Sequence, residues 1–222
     1  MNWEWCGSSA TSCSFRVHLP LSGWSVLRIF SVSPTQPTTL TIESRFCHES
    51  DQPLRLEVCE HTTLGNSFLD GCEIKATIGE VAYEMPVDGS EDAPGQLPSA
   101  VALEIPKVDA PPEGSVRVAP VVPAADGAAW WRAENAALRR RLTVAWKSQD
   151  FPWLCLWTEH KKRTHAPWHA RERTRGLEIS TKPFPQVPHP TRAAEFLGVP
   201  TTLVCAPGEE IVRRVRFKWE EI

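Results

Sequence analysis

Apolar and polar residues alternate one by one along several short segments of the chain. The alternation is plain at residues 54–58 (LRLEV), 116–118 (VRV) and 214–219 (RVRFKW). A period of two places successive side chains on opposite faces of an extended chain, so each segment is typical of a half-buried antiparallel strand.

Further short segments are rich in branched and aromatic residues and are bounded by Pro, Gly or Asp. These strand candidates are residues 39–43, 142–146, 153–157, 176–180 and 201–205. The chain also has 20 prolines against 12 glycines, and internal prolines break helices because they remove a backbone donor. We therefore expect an all-β fold, an antiparallel β-sandwich.

Two segments depart from the strand pattern. Residues 128–141 (AAWWRAENAALRRR) contain strong helix formers that give about three helical turns by intrinsic propensity. We predict a loop or short helix there, leading into a strand. Residues 86–123 hold eight of the 20 prolines with many acidic and small residues, which predicts long surface loops.

Length and composition limit the class of protein. A chain of 222 residues with 41% hydrophobic residues suits a single domain over residues 1–222 with a substantial core. A net charge of -3 and the lack of an apolar run near twenty residues argue against nucleic-acid and membrane partners. The start (MNWEW) does not resemble a secretory signal, so we expect a cytoplasmic protein whose seven cysteines are reduced and mostly buried.

Aromatic and charged residues are densest at residues 151–186, between two strand candidates. Exposed indole rings stack on the apolar faces of sugars, and charged groups bind the hydroxyls. Trp157, Trp168, Arg171 and Glu178 can therefore line a carbohydrate cleft. The alternative is that the tryptophans only fill the core.

Two residues are candidates for acid–base chemistry. Glu178 lies inside an apolar strand pattern (GLEI), so its carboxylate faces either solvent or a polar pocket, and partial burial would raise its pKa towards the range of a general base. His61 (CEHTTLG) is predicted to close a strand and open a turn, from where an imidazole can act as a general acid.

The same region has residues typical of a metal site and residues typical of a phosphate site. The possible zinc ligands are His160, His165, His169, Cys155 and Glu159. Their spacing fits no compact zinc pattern, and the basic run at residues 161–163 repels a cation, so we expect no metal. That run can instead contact a phosphate group. The GxxxxGK[ST], GxGxxG and GxSxG motifs are absent.

Three stretches together resemble the aldose 1-epimerase (galactose mutarotase-like) family, particularly its bacterial branch. They are residues 45–71 (RFCHESDQPLRLEVCEHTTLGNSFLDG), 151–186 (FPWLCLWTEH with APWHARERTRGLEISTKPFPQ) and 196–217 (FLGVPTTLVCAPGEEIVRRVRF). The resemblance implies a β-supersandwich that binds a hexose and interconverts its α and β anomers without a cofactor. By the same resemblance Glu178 is the base, His61 the acid, and Trp168 and Arg171 are substrate contacts.

The chain also departs from that family. Its domain normally has roughly a hundred further residues at the N-terminal end, which supply strands and usually another histidine and arginine. Missing strands expose sheet edges, so we expect a partner, loops or a homodimer to cover them. The leading hypothesis is an aldose 1-epimerase-like isomerase acting on a hexose or hexose phosphate. The alternatives are a non-catalytic carbohydrate-binding or interaction protein and a sugar-phosphate epimerase.

Overall fold

The protein is described by a computed structural model. The residues it describes are 2–79, 81–85, 99–102, 116–161, 163–166, 168–183, 195–196, 198–200 and 203–222. In chain order the elements are β1 (Glu4–Ser8), β2 (Ser12–Leu19), β3 (Trp24–Ser33), β4 (Gln36–His48), β5 (Leu54–Leu56), β6 (Cys59–Leu64), α1 (Asn66–Leu69), β7 (Cys72–Ala76), β8 (Val81–Met85), β9 (Ser99–Ala102), β10 (Val116–Pro120), β11 (Ala128–Asn135), β12 (Arg140–Lys147), β13 (Trp153–His160), β14 (Arg173–Ser180), β15 (Glu195–Phe196), β16 (Val199–Pro200), β17 (Leu203–Cys205) and β18 (Glu210–Glu221).

Two antiparallel sheets form the body of the described chain. The first has eight strands in the order β1-β2-β3-β4-β18-β12-β11-β7, and the second has six in the order β6-β14-β13-β10-β8-β9. Two short ribbons, β15-β16 and β17-β5, accompany them. This confirms the all-β class with antiparallel sheets. No helix in the described part of the chain is long and apolar enough to cross a membrane.

The main core lies between the two sheets. Trp131 and Val144 of the first sheet and Leu154 and Leu177 of the second belong to one cluster of buried apolar side chains, each at most 2% exposed. Each strand contributes every second residue to this cluster, because side chains alternate across a sheet. The side chains of β14 that alternate with these core residues therefore point away from the core. The site described below lies on that face.

Most of the predicted strands are confirmed where the structure describes them. Residues 39–43, 116–118, 142–146, 153–157, 176–180, 203–205 and 214–219 all lie in strands. Of the predicted strand at 54–58 only residues 54–56 are in a strand, and residues 57–58 connect β5 to β6. Residues 201–202 lie outside the described residues.

The prediction of a loop or short helix at residues 128–141 was wrong. Ala128–Asn135 is strand β11, and it pairs in unbroken antiparallel register with β12, which begins at Arg140. Ala129, Trp131 and Ala133 are fully buried while their neighbours are half-exposed. Packing of these three side chains against the second sheet outweighs the helix propensity of the segment.

The predicted surface loops at residues 86–123 are only partly described. Ser99–Ala102 forms β9 and Val116–Pro120 forms β10, so these two stretches are strands and not loops. Residues 86–98 and 103–115 lie outside the described residues. All seven cysteines are free thiols, of which Cys72, Cys155 and Cys205 are buried and Cys6 is exposed.

Candidate functional site

The site is built on two neighbouring strands at one edge of the six-stranded sheet. β6 pairs with β14 in a register that sets His61 directly opposite Glu178. Leu177 and Ile179, on either side of Glu178, belong to the buried core. Because side chains alternate along a strand, Glu178 and its cross-strand partner project from the face that points away from that core.

The carboxylate and the imidazole are in direct contact. His61 Nε2 lies 2.9 Å from Glu178 Oε1, and only 8% of the Glu178 side chain is exposed against 52% for His61. The other ring nitrogen, Nδ1, lies 3.1 Å from the Thr63 hydroxyl on the same face. The pair thus combines a buried carboxylate with an imidazole that reaches solvent. No pyranose fits between two groups at this distance, so a sugar has to approach from the exposed side.

Burial controls the ionisation of the carboxyl group. It raises the pKa of Glu178 above 4.5, while the His61 charge and the Cys59 thiol, which donates to Oε2 at 3.7 Å, hold back part of the rise. The same environment disfavours a thiolate. Burial first, and then the Glu178 charge, raise the pKa of Cys59 to about 12, and the pKa of the buried Cys155 also lies well above its ordinary value.

A glycine adjoins the carboxylate. Gly176 precedes Glu178 by two residues and lies on the same face of β14, opposite Thr63 of β6 and Trp157 of β13. A Cβ atom at position 176 would lie 2.8 Å from Glu178 Oε1 and 3.4 Å from the Trp157 ring and Cβ. The carboxylate therefore occupies space that any other residue at 176 would fill.

Two tryptophans form one flank of the site. The Trp157 ring lies 6.4 Å from the His61 ring and makes an edge contact with Trp168, with centroids 5.3 Å apart. The Arg163 guanidinium lies 5.1 Å from the Trp157 centroid and 5.5 Å from that of Trp168. Both indoles are thus linked to the pair through His61.

The segment that carries Trp168 connects β13 to β14 and is anchored by a buried carboxylate. Glu159, whose side chain is 2% exposed, accepts from the Arg163 backbone N–H at 2.9 Å and lies 3.3 Å from Arg163 Nε. Lys161, His169 and Ala170 have positive φ angles of 56°, 48° and 54°. Non-glycine residues adopt this region at a cost, and such strain clusters at functional sites.

The predicted site residues are only partly brought together. His61 and Glu178 meet, and Trp157 and Trp168 lie beside them. Arg171 is exposed, and its described contact is a backbone hydrogen bond to the Trp168 carbonyl at 3.0 Å. The expectation that His61 closes a strand was wrong, since it is the third residue of the six in β6.

Sequence reasoning did not predict the supporting role of four residues: Cys59, Gly176, Arg163 and Glu159. Of these, Glu159 was considered only as a zinc ligand and Arg163 only as part of the basic run. A glycine inside a strand pattern often marks a close approach of another group, so Gly176 carried a usable signal. The contact of Cys59 with Glu178 depends on pairing between distant strands, which no local pattern reports. Glu159 and Arg163, in contrast, are only four residues apart and form a local contact.

The basic segment does not converge on the pair. Of its described cations, Arg163 contacts the indoles, Arg173 pairs with Asp70, and Arg175 is buried with its charge near that of Arg117. A phosphate site would need at least two of these cations together. Among the described residues, no group of three or more His, Cys, Asp or Glu side chains could hold a metal ion.

A cavity of about 250 Å³ is lined by residues of β2, β3 and β4 and of the start of β6. Cys59 and Glu60 line it, whereas His61 and Glu178 do not. Glu60 pairs there with Arg28 at 2.7 Å. The cavity therefore reaches Cys59, which contacts Glu178, but neither member of the pair lines it.

Solved structures with the same architecture come from several organisms. A proposed aldose 1-epimerase from Escherichia coli K12 superposes with a TM-score of 0.70 at 12% identity, over 100% of this chain and 69% of that one. A galactose mutarotase related enzyme from Lactobacillus acidophilus gives 0.65 at 11%, over 100% and 72%. A GalM/aldose epimerase homologue from C. elegans gives 0.65 at 15%, over 99% and 69%.

No protein-family model and no curated protein matches the sequence. At these identities the structural likeness establishes the fold alone, and the chain spans about seven tenths of the length of the three proteins named. The resemblance expected from the three sequence stretches is thus confirmed at the level of the fold. The chain has the galactose mutarotase-like β-sandwich fold.

Proposed function

We propose that the protein interconverts the α and β anomers of a hexose, with Glu178 as general base and His61 as general acid. The observation that carries the proposal is the contact between the buried Glu178 carboxylate and the half-exposed His61 imidazole on the core-distal face of the six-stranded sheet. The fold shared with aldose 1-epimerase-like proteins supports it.

The short separation of the two groups suits this reaction. The anomeric hydroxyl and the ring oxygen of a pyranose are bonded to the same carbon, so the base and the acid must act at neighbouring points. Because the carboxylate and the imidazole are 2.9 Å apart, a sugar that enters from the exposed side of His61 can bring one of these oxygens to each group. The exposed edge of His61 supplies the side from which the sugar approaches.

The proton transfers balance without a cofactor. The Glu178 carboxylate takes the proton of the anomeric hydroxyl, the bond between the anomeric carbon and the ring oxygen breaks, and the ring oxygen takes a proton from His61 Nε2. A carbonyl forms at the anomeric carbon. Rotation about the bond between the anomeric carbon and the neighbouring carbon presents the other face of the carbonyl to the hydroxyl oxygen that closes the ring. Ring closure then reverses both proton transfers and gives the other anomer. The raised pKa of the Glu178 carboxyl makes it a stronger base than an exposed glutamate.

Trp157 and Trp168 are the proposed contacts for the apolar face of the sugar. Both rings lie on the side of His61, and both are only half-exposed. Stacking of an indole on a sugar ring would orient the anomeric carbon towards the acid and the base. Arg171 is proposed as a further contact, since its backbone follows Trp168 in the same turn.

The test is anomer exchange followed by NMR with glucose, galactose and their 6-phosphates. Glu178→Gln and His61→Asn remove the proton-transfer group with little change of shape. General acid or base catalysis contributes about 10² to 10⁴ in rate. We therefore expect the acceleration of anomer exchange over the spontaneous rate to be at least about a hundredfold smaller for each variant than for the native protein.

Glu172→Gln serves as the matched control, because Glu172 is exposed and lies outside the pair. It should retain full activity. If no sugar exchanges faster than the spontaneous rate but one gives saturable shifts, the protein is a carbohydrate-binding protein and the catalytic proposal fails. Acceleration only with the 6-phosphates would assign a sugar-phosphate epimerase.

A further inference from the structure

We propose that Cys59 and Gly176 are positioning residues that fix the two oxygens of the Glu178 carboxylate, an inference that rests on the function proposed above. Neither residue has a group that acts on a sugar directly in that mechanism. Each acts through Glu178, and the two act on different oxygens, Gly176 on Oε1 and Cys59 on Oε2.

Gly176 keeps open the space in which Oε1 contacts His61. The missing Cβ would lie 2.8 Å from Oε1, which is closer than two such atoms approach. The backbone at this position has no positive φ, so strain does not require a glycine here. Glycine also weakens a strand interior, where it has no side chain to pack. The space it leaves for the carboxylate is thus the physical reason for a glycine at 176.

Cys59 holds the other oxygen. Its thiol lies 3.7 Å from Oε2, and β6 carries it on the same face as His61. The high pKa of this thiol keeps it protonated at neutral pH, so it remains a donor and does not become a competing anion. A carboxylate held at both oxygens has one orientation.

The orientation matters because proton transfer needs correct geometry. Oε1 is the oxygen that contacts the half-exposed imidazole. A misplacement of about 1 Å can cost about 10²-fold in rate even when binding is unaffected. Loss of either positioning residue should therefore lower kcat and leave KM within about twofold.

The first experiment tests Gly176→Ala against Gly79→Ala. At Gly79 a new Cβ would meet only Val122, at an ordinary 3.8 Å, so this variant is the matched control. The atom that a Cβ at position 176 would displace is Oε1 of Glu178, at the end of a flexible side chain. The melting temperature of Gly176→Ala should therefore change little. We expect kcat to fall about tenfold to a hundredfold for Gly176→Ala and to stay unchanged for Gly79→Ala.

A second readout needs no activity. The pKa of Glu178 is measured by NMR of carboxyl-labelled protein without sugar, in a double-mutant cycle of Gly176→Ala with His61→Asn. His61 lowers this pKa, so His61→Asn should raise it in the otherwise native protein. In the Gly176→Ala background that rise should vanish, because the carboxylate no longer contacts position 61. An equal rise in both backgrounds would overturn the role of Gly176.

Cys59 is tested with the same measurement. Cys59→Ala removes the donor to Oε2 and should raise the Glu178 pKa further, whereas Cys59→Ser keeps a donor and should not. Cys47→Ala, at a half-buried cysteine of another sheet, is the control. If Cys59→Ala and Cys59→Ser leave this pKa equal, Cys59 is not a positioning residue.

The two readouts separate the two proposals. If the pKa changes appear and no sugar is turned over, the positioning geometry holds and the proposed function fails. If the native protein is active and the pKa of Glu178 responds to neither substitution, the function stands and the positioning inference is overturned.

Discussion

Glu178 is an ionisable group held where little water reaches it. Burial favours its neutral form, so its pKa in the folded chain lies above the ordinary value of 4.5. Between these two pKa values the folded state binds more protons than the unfolded state does. Stability therefore falls as the pH rises through this window, and the cost is complete above the folded-state pKa.

Replacement of this carboxyl group should separate stability from function. We expect Glu178→Gln to be more stable than the native protein at pH 8, because the neutral amide avoids the cost of a buried charge. The gain should shrink as the pH falls below the pKa of 4.5 of an ordinary glutamate, where both side chains are neutral. Urea unfolding across this pH range measures the gain in stability. A urea midpoint for Glu178→Gln below that of the native protein at pH 8 would show that the buried charge carries no such cost.

Of the four described non-glycine residues with a positive φ, three lie in the connection from β13 to β14. Lys161, His169 and Ala170 adopt the left-handed region, and Glu159 ties the start of the connection to Arg163. Alanine has no side-chain group that could stabilise this conformation. The strain at Ala170 is offset by the contacts that hold Trp168 beside Trp157.

Relief of that strain should stabilise the protein. Glycine adopts a φ of 54° freely, so we expect Ala170→Gly to raise the free energy of unfolding by about 1 kcal/mol. Ala136→Gly is the control, because Ala136 lies in an exposed turn and has no positive φ. Urea unfolding of both variants provides the comparison. A loss of stability for Ala170→Gly equal to that of the control would show that the positive φ carries no strain.

The sequence predicted the elements better than it predicted their contacts. Alternation identified β5, β10 and β18, because a period of two is a local property. It failed at β11, where alanines obscured an alternation that the buried residues show clearly. His61 and Glu178 were both named, but their contact arises from pairing of β6 with β14, two strands far apart in the sequence. Cys59 was missed for the same reason, whereas the contacts of Arg163 with Glu159 and the two indoles are local in the sequence.

At the scale of the whole molecule, two fully buried tryptophans differ in one hydrogen bond. Trp153 Nε1 donates to the Pro200 carbonyl at 2.8 Å, whereas Trp131 Nε1 has no such partner among the described residues. Both side chains are 0% exposed. The pair therefore allows the hydrogen bond to be separated from the packing.

We expect Trp153→Phe to destabilise the protein by about 1 kcal/mol more than Trp131→Phe does. Both substitutions lose a similar apolar volume. Trp153→Phe also leaves the Pro200 carbonyl without its donor, whereas Trp131→Phe removes an indole N–H that is buried without a hydrogen-bond partner. Chemical unfolding of the two variants under identical conditions measures the difference. Equal losses would mean that the bond to Pro200 adds nothing to stability.

The strand order of the large sheet also has a consequence for synthesis. β18, the last strand, does not lie at an edge but between β4 and β12, and it pairs with both. While a ribosome is still making the chain, the two halves of this sheet exist without the strand that joins them, and two long strand edges remain open. The large sheet is therefore completed only once residues 210–221 are available, and this pairing of strands far apart in the sequence favours slow folding.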